Sequence, residues 1–188
     1  DIPLKHTKEN DISFKEKNNK IIWRGSYNGF LFHTVRPTRL NLVKKYEHHS
    51  NPMIDIGFSN GASYVPCSVK NNLTIKEQLK SKFLISVEGG DVATNLKWIL
   101  YSNSCPLLTH PTMSSWLMED KLEPWIHYVP LKNNFEDLEE IYEWCLNNQD
   151  KCEEIAMNGK KYIEQFLDDE REAKITNLVL REYVDNVI

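Results

Sequence analysis

Short apolar runs alternate with polar segments along the chain, a pattern that is typical of strands alternating with helices. The run at residues 83–87 is rich in β-branched and aromatic side chains and predicts a buried strand. Further strands are predicted at residues 21–24, 53–56, 106–109 and 125–129, and helices at residues 39–46, 75–81, 96–101 and 115–120. This alternation predicts an α/β fold with a parallel sheet covered by helices on both faces.

The C-terminal part of the chain shows a helical period. Apolar residues repeat at i, i+3, i+4, i+7 and i+8 in the series Leu138, Ile141, Tyr142, Cys145 and Leu146. The repeat continues over residues 152–166, where Gly159 indicates a close helix crossing, and a last helix is predicted at about residues 170–187. Residues 1–20 are polar and lysine-rich without a clear period, and we interpret them as a leader or linker.

Composition and charge fit one globular domain with a sizeable core. The chain has 188 residues, of which 40% are hydrophobic, and its net charge of −4 argues against non-specific nucleic-acid or anionic-membrane binding. No apolar stretch approaches the ~20 residues of a transmembrane helix. The four cysteines form no C-x-x-C pair, so we expect buried free thiols and no zinc site, with a Cys145–Cys152 disulfide as the alternative. This cysteine usage favours a reducing, cytoplasmic location.

The segment after the predicted strand at 83–87 combines a glycine pair with a helix start. Gly89 and Gly90 allow a tight turn and a close backbone approach, and Thr94 or Asn95 can cap the helix that follows. Free N–H groups at such a helix start favour an anion, and Lys97 adds a positive charge. The alternative is a plain connection without a ligand, because the segment matches neither the dinucleotide fingerprint nor the P-loop.

Other candidate residues follow the remaining strands, and in a parallel sheet they line the same edge. Arg24 ends the first predicted strand and Gly25 and Ser26 follow it, and at this position Arg24 either binds a phosphate or pairs with an acid. Arg36 and Arg39 stand at a helix start, where the alternative is a solvated turn.

Few groups in the chain suit acid–base or metal chemistry. His127 is interpreted as a satisfied histidine, and His48, His49 and His110 lack partners for a triad or metal site. No Asp-x-Asp occurs, so nothing supports a metal-bridged nucleotide diphosphate.

Several motifs occur together in order along residues 20–165. They are Ile22–Trp23–Arg24–Gly25, Asp55–Ile56–Gly57, residues 82–98, Ser102–Asn103–Ser104, Trp116–Leu117–Met118–Glu119, residues 122–131 and residues 137–140. In these motifs the chain resembles glycosyltransferase family 90, which modifies lipopolysaccharide and capsule and includes the protein O-glucosyltransferases. The run at residues 91–98 is closest to the lipopolysaccharide-type branch.

The resemblance implies a metal-independent, inverting transfer of a sugar from a UDP-sugar to a hydroxyl of a glycan, lipopolysaccharide or protein. No cofactor or metal is expected. Membrane contact is expected only through the acceptor or through segments outside this chain. The fold implied is the Rossmann-like, C-terminal half of a two-domain GT-B enzyme. The donor-binding residues implied are Arg24, Gly25, Ser26, Arg39, Gly89, Gly90, Asp91, Val92, Ala93, Thr94, Asn95 and Lys97.

The resemblance leaves the catalytic base unassigned. In relatives the aspartate that acts as base lies well upstream of the Trp–Arg–Gly motif, and no aspartate here matches that position. A non-catalytic nucleotide- or glycan-binding module therefore stays open as the alternative. We expect a leader at 1–20, a nucleotide-sugar-binding domain at 21–167, and a helix at 168–188 that packs on this domain or on a missing N-terminal half. A signal in the full chain would place the protein in the endoplasmic reticulum or Golgi lumen instead.

Overall fold

Five parallel strands form the sheet of the described chain. The computed structural model describes residues 2–27, 39–60, 67 and 69–187, with only the backbone of residue 60. The strands are β1 (Asn18–Ser26), β2 (Ile54–Asn60), β3 (Ser81–Ser86), β4 (Cys105–Thr109) and β5 (Val129–Leu131). They pair in the order β2–β1–β3–β4–β5, and every pairing is parallel. The predicted parallel α/β sheet is thereby confirmed.

Seven α-helices surround this sheet in the described residues. They are α1 (Ile2–Asn10), α2 (Arg39–Tyr46), α3 (Ile75–Gln78), α4 (Leu96–Tyr101), α5 (Leu138–Asn147), α6 (Gln149–Glu164) and α7 (Asp169–Val187). A capping box starts α3, because Glu77 N–H donates to the Thr74 hydroxyl oxygen over 3.2 Å and Thr74 N–H donates to the Glu77 carboxylate over 2.7 Å.

Alternate residues of each strand pack on opposite faces of the sheet. Ile21 and Trp23 of β1 belong to one core cluster, which also holds apolar residues of α2 and α5. Ile22, between them, belongs to a second cluster with residues of α1 and α4. Both faces are therefore buried, as the near-continuous apolar run of β3 indicates.

The strand order creates a switch point between β1 and β3. The chain leaves β1 for β2 on one side, while β3 and the later strands lie on the other side. Connections that leave neighbouring strands in opposite directions open a crevice at their carboxyl ends, where ligands of such sheets bind. This edge is the first place to look for a site.

Two predicted elements near β5 were wrong. The predicted strand at 125–129 is instead a turn, in which Trp125 has φ 64° and its N–H donates to the Tyr128 carbonyl over 2.7 Å. The strand begins at Val129 and includes Pro130, which an edge strand tolerates because one side needs no ladder hydrogen bond. The predicted helix at 115–120 is reduced to a 3₁₀ turn at Glu119–Lys121, because Met118 is left-handed with φ 52°.

The N-terminal segment is more ordered than its polar composition indicates. Residues 2–10 form α1, whose Leu4 and Thr7 are buried. The Lys17 ammonium is fully buried and donates to the Asp11 carboxylate and the Leu79 carbonyl. The hydrogen bond to Leu79 cannot be inferred from composition, because it joins Lys17 to a residue 62 positions away. The division into leader, domain and C-terminal helix stays a prediction.

The C-terminal helices differ in how much they bury. At Gly159 in α6, an added Cβ would lie 3.1 Å from Leu100 Cδ2, so the predicted close crossing is confirmed. Cys145 and Cys152 are buried free thiols, as expected. In contrast, α7 has no buried residue. Among the described residues, no helix combines the length and apolar character needed to cross a bilayer.

Candidate functional site

Arg39 joins the carboxyl ends of β1 and β3 at the switch point. It is the first residue of α2, and its Nη1 donates to the Ser26 carbonyl over 3.3 Å. Its Nε and Nη2 both donate to the Val87 carbonyl over 3.2 Å. The contacts with Ser26 and Val87 fix the orientation of the guanidinium plane across the crevice.

Trp23 and Gly25 support this guanidinium from β1. The Arg39 Cζ lies 6.0 Å from the centroid of the Trp23 ring, within the range of a cation–π contact. Gly25 leaves room for the indole, because a Cβ there would lie 2.7 Å from Trp23 Cζ2. Burial lowers the pKa of Arg39, but an arginine remains charged at neutral pH. The site therefore holds a partly desolvated positive charge.

The glycine pair brings backbone close to that charge. A Cβ on Gly89 would lie 3.0 Å from both Cζ and Nη2 of Arg39, so a side chain there would push the guanidinium. Gly90 is exposed and has open space around it. Gly89 N–H donates to the Asp91 carbonyl over 3.0 Å, and Val92 N–H donates to the Asp91 carboxylate over 2.8 Å. Asp91 thus orders the loop through both its backbone carbonyl and its carboxylate.

The rest of the loop departs from a simple capped helix start. Asn95 stands at the N-cap of α4, but its Oδ1 accepts from the Ser86 hydroxyl over 2.8 Å, and its side chain makes no cap hydrogen bond. Exposed Thr94 precedes it, and buried Ala93 packs in the second core cluster. Because α4 has only six residues, its dipole is weak, and it adds less to anion binding than the sequence indicated.

Lys97 lies in the first turn of α4, beside an aromatic side chain. Its Nζ is 5.3 Å from the centroid of the Trp116 ring. The ammonium is thus held next to the loop that follows β4.

Arg24 occupies a different environment from Arg39. Its Nη2 donates to the Asp55 carboxylate over 2.7 Å, its Nη1 to the Asp55 carbonyl over 2.9 Å, and its Nε to the Asn71 carbonyl over 3.2 Å. Asp55 also accepts from Lys20 over 2.9 Å and from Lys70 over 3.0 Å. Burial raises the pKa of Asp55, but the hydrogen bonds from these three cations outweigh it and hold the pKa well below its usual range. The ion-pair alternative considered for Arg24 is what the structure shows.

Two carboxylates that received no role from the sequence complete this edge of the sheet. Glu88 accepts from Thr112 N–H over 2.8 Å and from Met113 N–H over 3.1 Å, which ties the end of β3 to the loop after β4. Buried Glu119 accepts from Ser115 N–H over 2.6 Å. Both line a small cavity with Ser86, Val92, Leu96 and Thr109. Glu88 could have been singled out, since it directly follows the buried strand.

Comparison with known proteins identifies the family. The family model described as glycosyl transferase family 90 matches residues 4–186. The chain belongs to glycosyltransferase family 90. The predicted membership of this family is thereby confirmed.

Three similar relatives show what this family 90 chain covers. The O-glucosyltransferase LpsA of Dichelobacter nodosus is 32% identical over 92% of this chain and 51% of its own length. Protein O-glucosyltransferase 2 of Danio rerio is 26% identical over 82% of this chain and 30% of its own length. Protein O-glucosyltransferase 1 of Homo sapiens is 26% identical over 82% of this chain and 38% of its own length. The chain thus spans about half or less of these relatives.

Other candidate residues of the family 90 chain carry little additional chemistry. His127 accepts from Glu123 N–H at Nδ1 over 3.0 Å, so it is satisfied as expected, and burial lowers its pKa. In the described part of the chain, no three His, Cys, Asp or Glu side chains are arranged to hold a metal ion. Arg36 lies outside the described residues.

Proposed function

We propose that this family 90 chain binds a UDP-sugar at the switch point between β1 and β3. Family membership supports glycosyl transfer as the activity to which the chain contributes. The enzyme containing it would transfer the sugar to a hydroxyl of a glycan, lipopolysaccharide or protein, with inversion and without a metal. The names of the relatives favour glucose as the sugar.

The observation that carries this proposal is the position of Arg39. Its guanidinium bridges Ser26 of β1 and Val87, the residue after β3, at the carboxyl edge, against the backbone of Gly89. Guanidinium groups make charge-assisted, often bidentate hydrogen bonds to phosphate. Exposed Gly90, with open space beside it, permits a diphosphate to approach the backbone.

Each residue of the site then has a role in the transfer. As the bond to the sugar breaks, negative charge grows on the UDP leaving group, and Arg39 stabilises it electrostatically. Lys97 adds a second positive charge, and Asp91 accepts from a sugar hydroxyl of the nucleoside. An inverting transfer also needs a base to take the proton of the acceptor hydroxyl. We propose that the base belongs to the part of the enzyme that the relatives have beyond the matched region.

UDP binding tests the donor proposal directly. We expect UDP to raise the melting temperature of the chain and to shift the backbone amide resonances of residues 89–97, with a weaker response to UMP, which lacks one phosphate. The response should persist in EDTA if binding needs no metal. No thermal shift and no amide shift with UDP would remove the donor site.

A non-catalytic binding module is the second candidate, because no aspartate of the chain matches the position of the family's base. A panel of UDP-sugars, tested for hydrolysis and transfer with the longest natural form of the protein, separates the two. Binding of UDP without turnover of any UDP-sugar would favour the module.

A further inference from the structure

Trp116 is the most exposed of the five tryptophans. Its side chain is 58% exposed, while Trp23 and Trp98 are buried and Trp125 is 39% exposed. An exposed indole is a large apolar surface in contact with water, and tryptophan is enriched where proteins contact their partners. Trp116 is therefore a candidate contact surface.

The loop that carries Trp116 is firmly held. The next residue, Leu117, is 1% exposed and anchors the loop in the second core cluster. The Tyr162 hydroxyl lies 2.9 Å from the Leu117 carbonyl and 2.8 Å from the Met118 carbonyl, so it can donate to either. Ser115, on the other side, donates both its N–H and its hydroxyl to the Glu119 carboxylate. The indole is thus displayed by an ordered backbone, which lowers the entropy cost of binding.

The neighbours of Trp116 connect it to the proposed donor site. Lys97 Nζ lies 5.3 Å from the indole centroid, and Lys97 belongs to the loop-and-helix segment proposed to hold the donor. The Phe166 ring contacts the indole edge-on, with centroids 5.8 Å apart. Exposed Met118 lies two residues further along the same loop. An aromatic ring with the Lys97 ammonium over one face thus flanks the proposed site.

We propose that Trp116 is the platform on which a sugar ring of the acceptor stacks. One face of a pyranose presents C–H groups that pack on an aromatic ring, here on the indole face opposite the Lys97 ammonium. The openness of the surface favours an acceptor over the nucleobase of the donor, because small-ligand sites bury most of their ligand. The inference rests on the proposed function and narrows its acceptor to a saccharide.

Binding of simple glycosides in the presence of UDP tests this platform. The probes are methyl β-D-glucopyranoside, methyl β-D-galactopyranoside and methyl α-D-mannopyranoside, added to the full chain saturated with UDP. The five indole N–H resonances report on the tryptophans separately, and a Trp116→Phe variant assigns the one in question. We expect at least one glycoside to shift the Trp116 resonance and to leave that of Trp125 in place.

Substitutions then separate the possible occupants. Trp116→Ala should weaken glycoside binding about tenfold or more and leave UDP affinity within about twofold, whereas the control Trp125→Ala should change neither. Trp116→Phe should retain part of the binding. The proposal is overturned if no glycoside shifts the Trp116 resonance, or if Trp116→Ala lowers UDP affinity about tenfold, which would assign the indole to the nucleobase.

The donor proposal and the platform fail separately in this design. Absence of UDP binding to the native chain would contradict the donor site. The glycoside titration, repeated without UDP, would still decide whether Trp116 binds a sugar. Transfer to a peptide hydroxyl that depends on Trp116, combined with no glycoside binding, would contradict the saccharide assignment.

Discussion

Arg24 and Arg39 lie in very different surroundings, although the family resemblance implies the same role for both. Arg24 pairs with the Asp55 carboxylate at 2.7 Å, and its side chain is only 6% exposed. Arg39 donates to the carbonyls of Ser26 and Val87, which orient its guanidinium across the crevice between β1 and β3. The comparison indicates that Arg24 joins β1 to β2 within the fold, while Arg39 lies at the switch point between β1 and β3, the edge where ligands of such sheets bind.

Removing Asp55, the partner of Arg24, should have the largest effect of the substitutions considered. It should lower the stability of the fold and leave the binding of UDP near Arg39 unchanged. Asp55→Ala leaves Lys20, Arg24 and Lys70 without their shared carboxylate. We expect the free energy of unfolding to fall by about 2–4 kcal/mol, because breaking a largely buried ion pair leaves an uncompensated charge. Denaturant unfolding measures this. UDP affinity of the folded variant should stay the same, and a loss of UDP binding would show that the two arginines are not independent.

Substitution of Arg39 should have the opposite profile. Arg39→Ala is expected to weaken UDP binding by about 1.5–3 kcal/mol, the value of a charge-assisted hydrogen bond to phosphate. Titration calorimetry below the melting temperature measures it, with Arg24→Ala as the matched control that should destabilise the chain and leave affinity unchanged. Arg39→Lys keeps the charge but not the bidentate geometry and should fall between them. Equal affinities of native and Arg39→Ala proteins would remove Arg39 from the site.

The sequence could predict the position of Arg39 at a helix start but not the position of Arg24 inside a strand. A helix start at residue 39 was readable from the pattern, and α2 begins at that residue. The first strand was predicted to end at residue 24, whereas β1 continues to Ser26. Arg24 therefore lies inside a strand, on the opposite face from Trp23, instead of at the strand end.

Contacts between distant segments explain what else the sequence could not give. The Arg24–Asp55 pair depends on the register of β1 against β2, in which Arg24 stands opposite Gly57. The hydrogen bonds that Glu88 accepts from Thr112 and Met113 depend on how the loop after β4 folds back toward the end of β3. By contrast, the glycine pair and the α4 start were readable locally, because glycine and apolar periodicity act within a few residues.

Acid should weaken the ion pair of Arg24 with Asp55, whereas the backbone carbonyls that accept hydrogen bonds from Arg39 do not titrate. Because the pKa of Asp55 is lower in the folded chain than in the unfolded one, its contribution is complete above the unfolded pKa and is lost as the pH falls toward the folded pKa. The stability difference between native protein and Asp55→Asn should therefore be constant above about pH 5 and shrink below about pH 4. Denaturant unfolding at several pH values measures it. A difference that is independent of pH would mean that Asp55 is not held by its cations.

The smallest expected effect concerns the glycine pair, of which only Gly89 lies against Arg39. In Gly89→Ala the new Cβ lies 3.0 Å from the Arg39 Cζ, so the guanidinium must move by a few tenths of an ångström. We expect UDP affinity to fall by about two- to fivefold, together with a shift of the Arg39 Nε–H resonance, because its carbonyl contacts loosen.

Gly90→Ala, with open space around the new methyl group, should leave that resonance in place. Any loss of affinity in Gly90→Ala must then come from contact between the methyl group and the diphosphate itself. Loss of affinity in both variants without a shift of Arg39 in either would show that the backbone of the loop, more than the arginine, holds the donor.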